Sequence, residues 1–171
     1  MATTVFYAST TGKTEDIADR IAVLLGDGAT VKDVEGIAST EELARADALI
    51  CCVPTWNTGA DTLRSGTAWD SHVETIPDLD LANHVVAIVG LGDSSTYADY
   101  FCDAMEELYM AFKQAGARLI GTVPTTGYTF DQSRSVINGQ FCGLPIDEDS
   151  EPDLTDQRLE AWVAMIKAEL L

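Results

Sequence analysis

Positive charge is what this sequence has least of. Ten lysines and arginines stand against 28 aspartates and glutamates, a net charge of −18 over 171 residues. Such a chain is repelled by phosphate backbones and anionic lipid surfaces, which argues against nucleic acid and membrane partners and for basic protein surfaces. Long apolar runs are also missing: none approaches the roughly 18 residues that a membrane span needs. The first residues, Met1–Ala8, lack the basic start and apolar run of a signal peptide and read as a buried strand. The four cysteines (Cys51, Cys52, Cys102 and Cys142) form no C-x-x-C pair, and there are two histidines, His72 and His84. That excludes a Cys/His zinc site of ordinary spacing and argues against a disulfide scaffold. With 46% hydrophobic residues, the acidity belongs to a folded body rather than a disordered tail.

No repeat, linker or low-complexity tract interrupts the chain, so one domain is expected over 1–171. Thr4–Ala8, Ala29–Val34, Ala48–Val53, Val85–Leu91 and Arg118–Val123 read as strands. The runs Ala48–Val53 and Val85–Val89 are apolar without alternation, as in parallel strands covered on both faces. Cys51 and Cys52 lie inside the first of these and read as small core residues. Between the strands the period changes to 3.6. Ile17, Ile21, Leu24 and Leu25 share one helix face; Phe101, Met105, Leu108 and Phe112 share another, ending at Gly116. Leu159, Trp162, Val163, Ile166 and Leu170 form a last stripe, and Ser39-x-x-Glu42 is a capping box opening a short helix. Strands alternating with helices predict an α/β fold with a doubly wound, five-stranded parallel sheet. The stretch from Pro124 to about Phe141 has no period and reads either as a surface excursion or as a functional insertion.

In such a sheet, ligands bind beyond the carboxyl ends of the strands. After the first strand come Ser9, Thr10, Thr11, Gly12, Lys13 and Thr14, then a helix start carrying Glu15 and Asp16. Hydroxyls, a glycine and free helix N–H groups form a phosphate cradle, although a Ser/Thr-rich N-cap alone produces the same pattern. Gly12-Lys13-Thr14 also matches the end of a P-loop, but Tyr7 stands where that motif needs its first glycine, which makes a nucleoside triphosphatase the distant alternative. After the third strand come Pro54, Thr55, Trp56, Asn57, Thr58 and Gly59; after the fourth, Gly90, Leu91, Gly92, Asp93 and then Tyr97. An aromatic on each of two neighbouring loops, beside a phosphate cradle, describes a slot for a flat phosphorylated ring.

These residues make the chain resemble the flavodoxins, specifically the long-chain type, over essentially its whole length. The carriers of the resemblance are Ser9-Thr-Thr-Gly-Lys-Thr14, Pro54-Thr-Trp-Asn-Thr-Gly-Ala-Asp61, Gly90-Leu-Gly-Asp-Ser-Ser-Thr-Tyr97, Gly139–Asp149 and the Trp162 helix. The irregular segment near the last strand matches the insertion that separates long-chain from short-chain members. The resemblance implies the flavodoxin-like strand order 2-1-3-4-5, with helices on both faces. It implies non-covalent FMN, its phosphate on Ser9–Thr14 and its ring between Trp56 and Tyr97. Tyr100, Phe101 and the backbone of Leu91–Asp93 border the ring site in that reading, and Asp147 corresponds to the ribityl-side aspartate. Many relatives have asparagine where this chain has Tyr100, so a side-chain amide contact is lost there.

The resemblance further implies a low-potential one-electron carrier, a ferredoxin substitute, rather than an enzyme. In the family a peptide carbonyl, here that of Asn57, turns toward flavin N5 when that atom gains a proton, and Gly59 keeps the loop pliable. Ferredoxin/flavodoxin-NADP reductase and photosystem I are the implied partners, the protein is expected to be a monomer, and the location is cytoplasmic or, for an algal source, the chloroplast stroma. The competing readings are an FMN-dependent reductase or the FMN domain of a larger flavoenzyme, for which 171 residues leave no NAD(P)H-binding part, and a non-redox signalling domain of the same topology. No general base, nucleophile or metal cluster is apparent, and His72 and His84 read as structural or surface residues.

Overall fold

The computed structural model describes residues 2–170; Met1 and Leu171, the ends of the expected domain, lie outside the described residues. Strands β1 (Thr3–Tyr7), β2 (Ala29–Asp33), β3 (Ala48–Pro54), β4 (Val85–Leu91) and β5 (Arg118–Ile120) form a parallel sheet in the order β2-β1-β3-β4-β5. This is the flavodoxin-like order expected. Every residue of β3 and β4 is buried, yet the two-residue alternation of a strand persists underneath. Leu49, Cys51 and Val53 enter one core, and Ala48, Ile50 and Cys52 enter the other. Helices α1 (Lys13–Leu25) and α3 (Thr155–Ile166) cover the second core through Ile17, Ile21, Leu159, Trp162 and Ile166. Helix α2 (Asp103–Gln114) covers the first through Met105, Leu108 and Phe112. It ends in a Schellman motif, with Gly116 N–H on Lys113 C=O and Ala117 N–H on Phe112 C=O, both at 3.1 Å.

Two expectations about helices are corrected. No α-helix joins β3 to β4; the chain crosses in 3-10 turns at Ala68–Ser71 and Ile76–Asp78. Trp69 fills the space a helix would cover, fully buried with its indole N–H on Cys52 C=O at 2.9 Å. The Ser39 capping box opens a 3-10 helix, Thr40–Arg45. The tighter winding brings Glu41 N–H to the Ser39 hydroxyl at 3.2 Å, and Glu42 reaches back to Ala38 N–H instead.

The fifth strand is also corrected, because it does not run to Val123. β5 stops at Ile120, where Gly121 turns the chain at φ +87°. A Cβ at Gly121 would meet the Trp162 ring at 2.9 Å, and Trp162 donates its indole N–H to Gly121 C=O at 2.9 Å. The chain leaves the sheet and builds a small antiparallel sheet of β6 (Val123–Pro124), β7 (Val136–Ile137) and β8 (Gln140–Phe141), in the order β6-β8-β7. It returns as β9 (Leu144–Ile146), parallel to β4 and paired with Val89–Leu91, whereas β5 pairs with Val85–Ala87. The edge position is thus one strand position filled twice, with the insertion between.

That insertion has a structural task. Tyr128, Phe130 and Phe141 surround Phe101 with ring centroids 6.1, 5.7 and 6.0 Å away. Asp131 and Gln132 donate their N–H groups to Ala98 C=O, both at 2.9 Å, and Phe101 N–H bonds Gln132 C=O. The insertion therefore buttresses the loop that carries Tyr97.

Candidate functional site

Three loops at the carboxyl ends of β1, β3 and β4 meet the residues following β9 around one shallow, open cleft. Its wall is made by Thr11, Lys13, Thr14, Pro54, Thr55, Trp56, Leu91, Gly92, Asp93, Tyr97, Glu148 and Asp149.

One end is an anion site. Gly12 is the N-cap of α1, its N–H held by Ser9 Oγ at 2.9 Å, and Asp16 N–H is the first to bond back, to Gly12 C=O. The N–H groups of Lys13, Thr14 and Glu15 therefore have no partner within the helix and carry its positive dipole end. The Lys13 ammonium reaches across to Asp149, and that hydrogen bond raises its pKa. Ser9 and Thr10 turn partly away, onto a second hollow shared with Val34, Glu35, Thr67 and His72.

The cleft's flanks are aromatic and solvent-facing. Trp56 is 49% and Tyr97 45% exposed in a protein whose other two tryptophans, Trp69 and Trp162, are buried. A half-exposed indole gains little from packing, so these rings offer flat surface to a ligand. Trp56 and Asn57 stand on a loop closed at its base, with Trp56 N–H on Ser65 C=O at 3.2 Å and Asn57 N–H on Arg64 C=O at 3.0 Å. At the tip, Ala60 N–H bonds Asn57 C=O at 3.2 Å, and Gly59 sits at φ +81°, as the third position of this turn requires. The Asn57 side-chain amide donates to Leu63 C=O at 2.8 Å, and its backbone C=O is held within the turn by Ala60 N–H. Thr58 and Gly59 form the tip rather than the cleft wall. The Tyr100 ring lies over Gly59, 3.5 Å from where a Cβ would be.

The floor is rigid. Asp93 accepts N–H from Ser95 and Thr96 and the Ser150 hydroxyl. Burial pushes its pKa up, but the hydrogen bonds from Ser150, Thr96 and Ser95 outweigh it and hold the carboxyl below its ordinary value. Gly92 N–H is taken by Ile146 C=O. Gly90 is buried inside β4 against Met105, and Phe101 is wholly inside the aromatic cluster; neither reaches the cleft.

Asp147 stands behind the wall. It is 1% exposed; one carboxylate oxygen accepts both the N–H and the hydroxyl of Ser94, and the other accepts Ser150 N–H. Beside Asp93, the carboxylates that line the cleft are Asp147's neighbours Glu148 and Asp149, neither of which stands out in the sequence. Glu148 is held by Arg20 at 3.1 Å and by the Thr155 hydroxyl at 2.9 Å. His84 bonds Ala44 C=O, and His72 bonds the Thr40 hydroxyl; both are outside this cleft. Among the described residues no group of His, Cys, Asp and Glu is arranged to hold a metal ion.

Comparison with known proteins agrees with this geometry. The flavodoxin family model matches residues 5–162. Flavodoxin 1 of Salmonella typhimurium is 40% identical over 171 residues, covering 98% of this chain and 94% of the relative. The flavodoxin of Synechocystis sp. is 39% identical, covering 95% and 94%. Among solved structures, Fusobacterium nucleatum flavodoxin bound to flavin mononucleotide superposes with a TM-score of 0.88 at 30% identity, covering 98% of each chain. With a family match over nearly the whole chain, and with relatives of this identity and coverage, the chain belongs to the flavodoxin family.

Proposed function

We propose that this protein binds one FMN non-covalently in the cleft and carries electrons singly between partner proteins as one flavodoxin-like domain. The observation that carries the reading is the cleft itself, with an anion site at the start of α1 and two half-exposed aromatics, Trp56 and Tyr97, on its flanks. A ring with a single terminal phosphate fits this division. When bound, FMN supplies a ring able to take up and release one electron at a time.

Ser9, Thr10, Thr11, Gly12, Lys13 and Thr14 hold the phosphate through N–H groups, hydroxyls and the helix dipole. Lys13 must share its ammonium between the phosphate and Asp149. Trp56 and Tyr97 cover the ring and exclude water, and Pro54, Thr55, Leu91 and Gly92 line the space between them. Swinging the Asn57 carbonyl toward the ring releases the Ala60 N–H now bound to it. Negative charge added to the site is opposed by the protein's own carboxylates. At an effective dielectric of 20, each one about 10 Å away opposes it by roughly 1–2 kcal/mol before salt screening. Asp93, Glu148 and Asp149 stand on the wall, Asp149 and Glu148 partly offset by their ion pairs with Lys13 and Arg20.

The net charge of −18 supports basic docking partners, a ferredoxin/flavodoxin-NADP reductase or a photosystem I face, with the protein in the cytoplasm or a stroma. No helix among the described residues is long and apolar enough to cross a membrane. Acid release of the flavin from purified or reconstituted protein, followed by chromatography, tests the cofactor. One FMN per chain is expected; FAD, or no flavin after reconstitution, overturns the reading.

A further inference from the structure

The loop bearing Trp56 and Asn57 is held from outside the cleft by the polar side of α2. Glu107 receives two backbone N–H groups on one carboxylate, Leu63 at 2.6 Å and Arg64 at 2.9 Å. The same two residues hold the other side of the loop: Arg64 C=O accepts Asn57 N–H, and Leu63 C=O accepts the Asn57 side-chain amide at 2.8 Å. Leu63 is held at φ +54°, a backbone conformation that leucine avoids unless its surroundings impose it. Arg64 reinforces the grip. Its guanidinium is buried, bonded to Asp103 C=O, to Glu106 Oε2 and to Asp61 C=O.

We infer that Glu107 is a positioning residue for flavin binding and redox tuning. It does not line the cleft. Through Leu63 and Arg64 it fixes the base of the Asn57 loop, so that motion is confined to the turn at Asn57–Ala60. A loop fixed at its base presents Trp56 and the Asn57 carbonyl at one height above the ring site, which reduces the ordering cost of binding. Without the carboxylate, two N–H groups lose a charged acceptor and Leu63 loses what holds it in the left-handed region.

This inference rests on the proposed FMN reading, and its test separates the two. Apoprotein is prepared as wild type, Glu107→Ala and Glu107→Gln, and each is examined by thermal melting, amide exchange at 57–64, FMN titration and measurement of both one-electron potentials. Glu107→Ala is expected to weaken FMN binding roughly tenfold, the scale of one lost charged hydrogen bond. It is also expected to bring the two potentials closer together and to speed exchange at 57–64. Glu107→Gln, which keeps one acceptor oxygen, falls between, and it reads the same quantities if the alanine variant does not fold. A folded Glu107→Ala protein with wild-type affinity and potentials overturns the positioning role and leaves the FMN reading intact. A wild type that takes no FMN overturns both.

Discussion

The buried carboxylate of Asp147 binds Ser94 twice, through its backbone N–H at 3.0 Å and through its hydroxyl. Ser94 lies in the loop after β4 and Asp147 in the turn after β9, so this contact joins two walls of the cleft across 53 positions of sequence. The other carboxylate oxygen takes Ser150 N–H at 2.8 Å. Replacing Asp147 with alanine leaves the two buried Ser94 donors and the part-buried Ser150 N–H without their acceptor. The Asp147→Ala protein should therefore lose about 2–4 kcal/mol of stability, read by urea denaturation of the apoprotein. It should also bind FMN more weakly, because Ser150, whose hydroxyl holds Asp93, loses its own anchor. Unchanged stability would show that the Ser94 loop holds itself.

The exposed rings give a different pattern. Trp56→Ala and Tyr97→Ala should leave the apoprotein's melting temperature nearly unchanged, since each side chain is about half exposed. Each should weaken FMN binding by roughly 0.5–1.5 kcal/mol beyond lost area, which flavin fluorescence titration measures. Wild-type affinity in both variants would place the ring elsewhere.

Asp93 makes a prediction about acid. Its hydrogen bonds from Ser150, Thr96 and Ser95 hold its pKa below the ordinary 3.8 in the folded protein. A lowered folded pKa gives stability that is fully present above the unfolded value and lost as pH falls through the folded one. Compared with Asp93→Asn, the wild-type apoprotein should keep a constant advantage from neutrality down to about pH 5 and lose it below about pH 4. Thermal melts across that range decide it; an advantage that disappears near neutrality would point to another group.

The charge makes a prediction about partners. Electron transfer to a basic reductase, followed by stopped flow, should slow as ionic strength rises past about 0.1 M, where the Debye length is about 10 Å. A maximum at intermediate salt is compatible with steering, since strong attraction can also trap misaligned complexes. A rate indifferent to salt throughout would leave the net charge of −18 with a role in solubility alone.

Much of this structure is readable in the chain, and the unreadable parts have definite causes. β3 and β4 stand out because strands covered on both faces need apolar residues at every position. Trp56 and Tyr97 stand out because large aromatics among turn formers have no core to enter. The break in the fifth strand does not stand out: Arg118–Val123 reads as continuous, and the residue that makes Gly121 obligatory, Trp162, is 41 positions away. Asp147, Glu148 and Asp149 are adjacent carboxylates, and only the turn after β9 decides that the first is buried while the others line the cleft. Glu107 looks like part of a solvated helix face, and its partners Leu63 and Arg64 lie 44 and 43 residues earlier. Contacts of that span leave no local periodicity.

The most direct test is spectroelectrochemical titration of the apoprotein reconstituted with FMN, with free FMN run in the same cell. The account predicts one flavin per chain and two resolved one-electron potentials, the lower well below that of the free cofactor. The carboxylates of the wall and the Asn57 loop must both act on the ring for that result. A single two-electron wave at the free-FMN potential would contradict it, because a flavin so unaffected by its site is not held by Trp56, Tyr97 and the start of α1.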